Sequence, residues 1–284
     1  MRVPLLITLV VLGVALWASR AEGASEEPRL AAVEDWAFAI STDVDSDARV
    51  AQLAPFDLIV VDGEQTGAAR VAQLRAAGAV VLGYLSVGTI ERYRSWYRRA
   101  KPHRLELWGD WGEWYADVRD RRFRGLISNR VAPKLMGRGL DGLFLDNVDM
   151  VDGHPKQRRG MFRLVRALSR LVHARGGFLF AQNGARAIKP VWGALDGWNR
   201  EDVSWTWDFE RRRYRAQSAN EVSAASAELR RLADAGLLVT ATDYTAAGDA
   251  AAADSIANAC AAGALPYVSN ISLTRIPAVP LFCE

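Results

Sequence analysis

Histidine and cysteine are nearly missing from this chain of 284 residues, which holds three of the first and two of the second. His103, His154 and His173 share no metal-ligand spacing, and two cysteines cannot complete a zinc centre, so no metal site is expected. The sequence has no glycine-rich phosphate loop after an early strand. Gly83 and Gly88 do not make that pattern, and no cofactor is expected. Ser86 stands in Leu85-Ser86-Val87-Gly88, outside a Gly-x-Ser-x-Gly frame, with no histidine placed to serve it, which removes a serine hydrolase. An excess of one charge is lacking too. The 36 basic and 33 acidic side chains leave +3, too slight and scattered for nucleic acid. The densest basic runs, Arg98-Arg99-Ala100-Lys101 and Glu210-Arg211-Arg212-Arg213-Tyr214-Arg215, read as solvated helix faces or a rim.

What is present begins with an export signal. Arg2 precedes an apolar run from Pro4 to Trp17 broken by Thr8, followed by small residues at Ala18, Ser19, Ala21 and Ala24 and then polar Ser25-Glu26-Glu27. This order predicts a cleaved signal peptide over 1–24 and a secreted or periplasmic protein. The competing reading is an uncleaved anchor, but the run falls short of the roughly 20 residues a spanning helix needs. No stable membrane insertion is expected after cleavage, and no cysteine follows the run to carry a lipid. In an oxidising compartment Cys260 and Cys283 are expected to pair.

Residues 31–284 read as a single α/β domain. Strands are predicted over Trp36–Ile40, Phe56–Asp62, Val80–Val87, Leu140–Leu145, Phe178–Gln182, Leu195–Asn199, Leu237–Thr242 and Leu265–Val268. Helices are predicted over Ala68–Ala77, Phe123–Met136, Arg159–Ala174, Glu221–Ala235 and Ala250–Ala262, each followed closely by glycine. The strands are continuous apolar runs, as expected when both faces are covered. Eight such units predict a closed (β/α)8 TIM barrel. Polar residues gather at the strand ends: Asp62, Ser86, Asp146, Asn183, Glu201, Asp243 and Asn270. That distribution favours the barrel over an open doubly wound sheet. A long excursion over Thr89–Arg122 carries Trp96, Trp108, Trp111 and Trp114, and suits a substrate loop or a flap packed on the barrel.

Two acids at strand ends point to glycosidic-bond hydrolysis, which needs one carboxyl to protonate the leaving oxygen and another to attack carbon or activate water. Asp146 is the candidate nucleophile or base, and Glu201 the candidate acid. Trp198, Trp205 and Trp207 flank Glu201, and partial desolvation by their rings would raise its pKa. Asp202 sits beside Glu201 and competes for the inward position; a lone strand-end acid can also serve as a helix cap. Asp62, Tyr84, Ser86, Asn147, Asp149, Asn183, Trp198, Asp243, Tyr244 and Tyr267 are the candidate substrate-binding residues, with a buried core role as the alternative for Tyr84 and Tyr267. Ten tryptophans suit a polysaccharide or oligosaccharide partner, since sugar faces stack on such rings. Two other classes remain open: a non-catalytic polysaccharide-binding barrel of the cell envelope, and a metal-assisted hydrolase, against which the scarce histidines count.

Several segments carry a resemblance. Gly83-Tyr84-Leu85-Ser86-Val87-Gly88 with Glu91-Arg92-Tyr93-Arg94, Gly139 to Asp149 around Leu145-Asp146-Asn147, Gln182-Asn183-Gly184, and Asp196 to Asp202 resemble motifs of glycoside hydrolase family 114, the endo-α-1,4-polygalactosaminidase-like barrels. The resemblance spans the mature chain. It implies catalytic roles for Asp146 and Glu201 and, as substrate, an α-1,4-linked galactosamine polymer. Thr89 departs from the pattern, standing where relatives often carry glutamate, so a polar contact is absent or replaced. Residues Tyr267 to Thr274 are polar where relatives often place an aspartate.

Overall fold

The computed structural model describes residues 27–42, 44–248 and 250–283, so the expected signal peptide lies outside the described residues. Eight parallel strands form one sheet in chain order: β1 (Trp36–Ala39), β2 (Leu58–Asp62), β3 (Val80–Ser86), β4 (Gly142–Asp146), β5 (Phe178–Gln182), β6 (Gly197–Glu201), β7 (Leu238–Tyr244) and β8 (Leu265–Ser269). Helices flank the sheet, among them Asp47–Leu53, Ala68–Ala76, Arg158–His173, Ala219–Asp234 and Ala251–Ala261. The result is the expected TIM barrel, nearly closed. Its seam differs from its other joints. Among the described residues no backbone ladder joins β1 to β8. Instead the Trp36 indole donates to the Leu265 carbonyl at 3.0 Å, and the Tyr267 hydroxyl donates to the Phe38 carbonyl at 3.1 Å.

The barrel interior is filled, as strand periodicity requires, by alternate inward residues. Phe38 and Phe144 meet with ring centroids 5.0 Å apart. Gly197 is forced by the same crowding, since a Cβ there would lie 2.1 Å from the Phe180 ring. Outside, Arg158–His173 buries Met161, Leu164, Val165, Leu168 and Val172 on one face. Ala219–Asp234 starts in a capping box, in which Ser218 and Glu221 satisfy each other's backbone N–H groups. The Cys260–Cys283 disulfide is formed and ties the C-terminal tail to the last helix.

Several boundaries fall elsewhere than expected, and the shifts bear on the site. Strand β6 runs Gly197–Glu201 rather than Leu195–Asn199, because its ladder with β7 continues to Thr242↔Glu201. Likewise Asp146 and Tyr244 are the last residues of β4 and β7 rather than loop residues. The excursion after β3 holds a small antiparallel sheet of Thr89–Ile90, Arg104–Trp108 and Glu113–Ala116. The helix predicted over Phe123–Met136 begins at Arg121 and passes through a π-helical stretch, Ile127–Val131. A second hairpin, Trp205–Asp208 with Arg213–Ala216, follows β6. The basic run at 210–215 belongs to that hairpin, so it forms a rim and not a helix face. The turns of the two hairpins touch, with Trp111 and Phe209 edge to face at 5.5 Å.

Candidate active site

The C-terminal ends of the strands surround a cavity of about 320 Å³. That volume lies near the lower end of the roughly 300–1,000 Å³ typical of small-molecule sites. Asp146 and Glu201 both line it, together with Asp62, Tyr84, Asn147, Asp149, Asn183 and Tyr244.

Asp146 is held by four donors. Its Oδ1 accepts from the Asn147 backbone N–H at 2.6 Å and from Gln182 Nε2 at 3.1 Å. Its Oδ2 accepts from the Tyr84 hydroxyl at 2.5 Å and from Asn147 Nδ2 at 3.2 Å. Asn147 supplies both contacts because it sits in the left-handed region, φ 58°, which asparagine tolerates better than most residues. Glu201 is held by three donors. Its Oε2 accepts from Gln182 Nε2 at 2.8 Å and Asn183 Nδ2 at 2.7 Å, and its Oε1 accepts from the Tyr244 hydroxyl.

One amide nitrogen therefore bridges the two acids. Gln182 cannot turn over, because its Oε1 accepts from Asn199 Nδ2 at 2.7 Å, while Asn199 Oδ1 accepts from Thr240 at 2.9 Å and Thr242 at 3.2 Å. The two bridged oxygens lie no more than about 6 Å from each other by this geometry, which is compatible with the short carboxyl separation of retaining glycosidases.

Burial pushes both carboxyls up. For Asp146 the Tyr84 and Asn147 donors oppose that rise. Glu201 is pushed up to about 8, by burial first and by the nearby Asp146 charge second. Charge then settles on the better-donated Asp146, and the proton on Glu201. Asp149 is raised to about 7 by burial and by Asp146. Among the described residues Arg94 is the one cation lining the cavity, and its guanidinium is already shared by Asp62 and Glu91.

Some expected ligand contacts are not met. Trp198 is fully buried and does not line the cavity, nor do Trp205 and Trp207. Asn199 and Glu201 share the inward face of β6, so Trp198 falls on the other face, and Glu201 is desolvated without those rings. Asp243 is buried and accepts from the backbone N–H groups of Val203 and Ser204, ordering the loop after β6. Tyr267 is spent on the barrel seam and Ser86 is sealed beneath Asn147. Asn183 reaches the cavity, but its amide holds Glu201. Asp202 does not line the cavity, which leaves Glu201 as the inward acid of that pair. Wall residues outside the expected contacts include Gln182, Glu91, Arg94 and Glu113, while Trp108 and Trp111 of the excursion reach the wall as its substrate-loop reading requires. Gln182 was within reach of strand periodicity, as the last residue of β5 in register with Asn199. The others arrive by the fold-back of the excursion, which spacing does not encode. Thr89, the departure noted above, donates to Glu113 Oε2 at 2.7 Å, so a glutamate reaches that point from another strand.

Paired acids at the mouth of a TIM barrel are the equipment that glycosidic-bond hydrolysis requires. Residues 18–283 match glycoside-hydrolase family GH114, and the chain belongs to that family. It is 25% identical over 270 residues to an uncharacterized protein of Deinococcus radiodurans, covering 89% of this chain and 85% of that one. Its fold is similar to the glycoside hydrolase domain of PelA from Pseudomonas aeruginosa: TM-score 0.72, 22% identity, 85% of this chain and 96% of that one. It is also similar to Ega3 of Aspergillus fumigatus in complex with galactosamine: TM-score 0.68, 18% identity, 88% and 95% covered. The protein is a glycosidase.

Proposed function

We propose that this chain is an exported glycosidase that cleaves a galactosamine-containing polysaccharide with retention of configuration. Asp146 is the nucleophile and Glu201 the acid and then the base. The observation that carries the reading is the Gln182 amide, which donates to both carboxylates and so fixes them at short separation. In the first step an Asp146 oxygen bonds to the anomeric carbon while Glu201 gives its proton to the departing glycosidic oxygen. In the second, Glu201 takes a proton from water, whose oxygen displaces Asp146. The substrate class is supported by the charge of the cavity. Asp146 is ionised there and Glu113 and Asp149 are further acids of the wall, while among the described residues Arg94 is the one cation and is already paired with Asp62 and Glu91, an environment that favours a sugar bearing an ammonium group. The Cys260–Cys283 bond fits the oxidising compartment that a signal peptide over 1–24 implies, with residues 31–284 as the exported domain.

The test is release of reducing ends from amino-sugar and neutral polysaccharides, with the anomer formed followed by NMR. Release from the amino sugar with retained configuration supports the reading. Inverted product removes the nucleophile role, and polymer binding without turnover returns the chain to a recognition barrel.

Tyr244 offers a test of the acid. Its hydroxyl donates to Glu201 and thereby favours the charged form. Tyr244→Phe removes that donor, so the Glu201 pKa rises further. An acid works only while protonated, so the alkaline limb of kcat/KM, expected near pH 8, moves to higher pH. A limb that stays put or falls would remove Glu201 from that role.

A further inference from the structure

One acid in the cavity has no part in the two-carboxylate chemistry. Glu113 Oε2 accepts from the Thr89 hydroxyl at 2.7 Å, and Thr89 Oγ1 lies 2.6 Å from Ser86 Oγ. Both hydroxyl residues are completely buried. Asn147 Nδ2 donates to Ser86 Oγ at 3.0 Å, lies 3.3 Å from Thr89 Oγ1, and donates to Asp146 Oδ2 at 3.2 Å. A continuous chain of hydrogen bonds thus runs from the excursion sheet to Asp146.

Its direction follows from counting protons. Each hydroxyl has one, and Glu113, whose carboxyl is raised to about 7 by burial first and by Glu91 next, has none to give once it ionises above that pH. Thr89 gives its proton to Glu113, so it must accept from Ser86. Ser86 then has none left and must accept from Asn147. The Asn147 amide is thereby fixed with one N–H on the hydroxyls and the other on Asp146. Without an acceptor at position 113 the chain can reverse: Thr89 donates to Ser86, Ser86 donates to Asn147 Oδ1, and the turned amide sets an oxygen against the Asp146 carboxylate.

We propose that Glu113 is a positioning residue, the terminal acceptor of an Asn147–Ser86–Thr89–Glu113 relay that orients the Asn147 amide toward Asp146 and keeps that carboxylate ionised. The role in catalysis rests on Asp146 being the nucleophile; the relay itself does not. Glu113 is faced by Glu91 and Arg94 from the excursion and by Asp146 from β4. Asp146 is faced in turn by Tyr84 of β3, Glu201 of β6, Tyr244 of β7, Asp149 from its own following loop, and Glu91. Deleting the Glu113 charge alone would lower the Asp146 pKa, by removing a like charge. Losing the relay would raise it, by removing a donor. The sign therefore separates the two effects.

The experiment follows the Asp146 carboxyl by ¹³C NMR titration, its signal assigned through Asp146→Asn, in Glu113→Leu, Thr89→Val, the double variant and Thr89→Ser. Each of the first two is expected to raise the Asp146 midpoint by about one pH unit, a tenfold change in ionisation equilibrium. The double variant should add nothing further, since both changes cut one relay, and Thr89→Ser should restore the wild-type midpoint. The acid limb of kcat should move upward with the midpoint while KM stays nearly constant. Thr89→Val changes no charge and carries the test where Glu113→Leu fails to fold. A midpoint that is unmoved or lowered in Thr89→Val overturns the relay, as do additive shifts in the double variant. A raised KM with a fixed acid limb reassigns Glu113 to direct substrate contact. The titration needs no turnover, so activity surviving in Asp146→Asn would sink the nucleophile reading alone.

Discussion

Glu201→Gln is expected to lower kcat on polysaccharide by on the order of 10²–10⁴-fold, the range that a positioned proton-transfer group contributes, and Asp146→Asn by more, up to on the order of 10⁶-fold, the scale of losing a nucleophile. Both changes are nearly isosteric, so KM should move little and the folded state should persist. The two should not be additive, because each disables the same reaction cycle. Their signatures differ, however. Glu201→Gln removes the proton donor, so a substrate with a nitrophenyl leaving group, which departs without protonation, should recover much of the first step. Asp146→Asn leaves nothing to attack carbon, and the same substrate should not help it. Steady-state rates on both substrates, with circular dichroism as the folding check, decide the matter. Equal rescue of both variants would contradict the assigned roles.

The largest stability effect is expected at Arg94. Its guanidinium is almost completely buried and donates to two buried acids, in a fork to Glu91 and through one nitrogen to both oxygens of Asp62. Nη1 reaches Asp62 Oδ1 and Oδ2 at 3.0 and 2.8 Å, while Nε and Nη2 reach Glu91 at 2.5 and 2.7 Å. Arg94→Met keeps much of the volume but strands two carboxylates beside the acids of the cavity. Breaking a buried pair in this way costs roughly 3–5 kcal/mol, because the remaining charges keep their desolvation penalty. Arg94→Lys should fall between, since one ammonium cannot reproduce the fork to Glu91 and also reach both oxygens of Asp62. Urea unfolding of the three proteins measures the effect, and a change for Arg94→Met within about 0.5 kcal/mol, the scale of ordinary surface substitutions, would contradict it.

Both carboxylates were legible before the structure for the same reason. Each lies at or just past the end of a strand, and consecutive residues of a strand alternate between the two faces, so a strand-end acid is aimed by a simple rule. The rule also explains the errors. Counting β6 from Leu195 instead of Gly197 left Glu201 beyond the strand and made Trp198 look like its neighbour in the cavity, although three residues of separation put them on opposite faces. Asp243 and Tyr267 were misplaced because polarity near a strand end does not distinguish a ligand contact from a loop anchor or a seam. Glu113 was out of reach for a different reason, and for Trp108 and Trp111 only the general reading of the excursion as a substrate loop was available. Their place in the wall depends on how the excursion sheet folds over the barrel, with Thr89 paired to Tyr115, a long-range pairing that no local period records.

The seam between β1 and β8 has a mechanical meaning for a polymer-cleaving site. Phe38, Ile40 and Ser41 lie on one side of it, Ile271, Ser272 and Leu273 on the other, and all six form part of the cavity wall. Elsewhere around the circumference, widening the mouth means tearing a backbone ladder. Here the two edges are latched by the Trp36 and Tyr267 side chains, each bond contributing about 1 kcal/mol. The barrel is a ring with a clasp, and the cavity wall continues past that clasp on both sides. The spacing of Asp146 and Glu201 is set by Gln182 on the opposite arc, so a strain at this joint falls far from the paired acids.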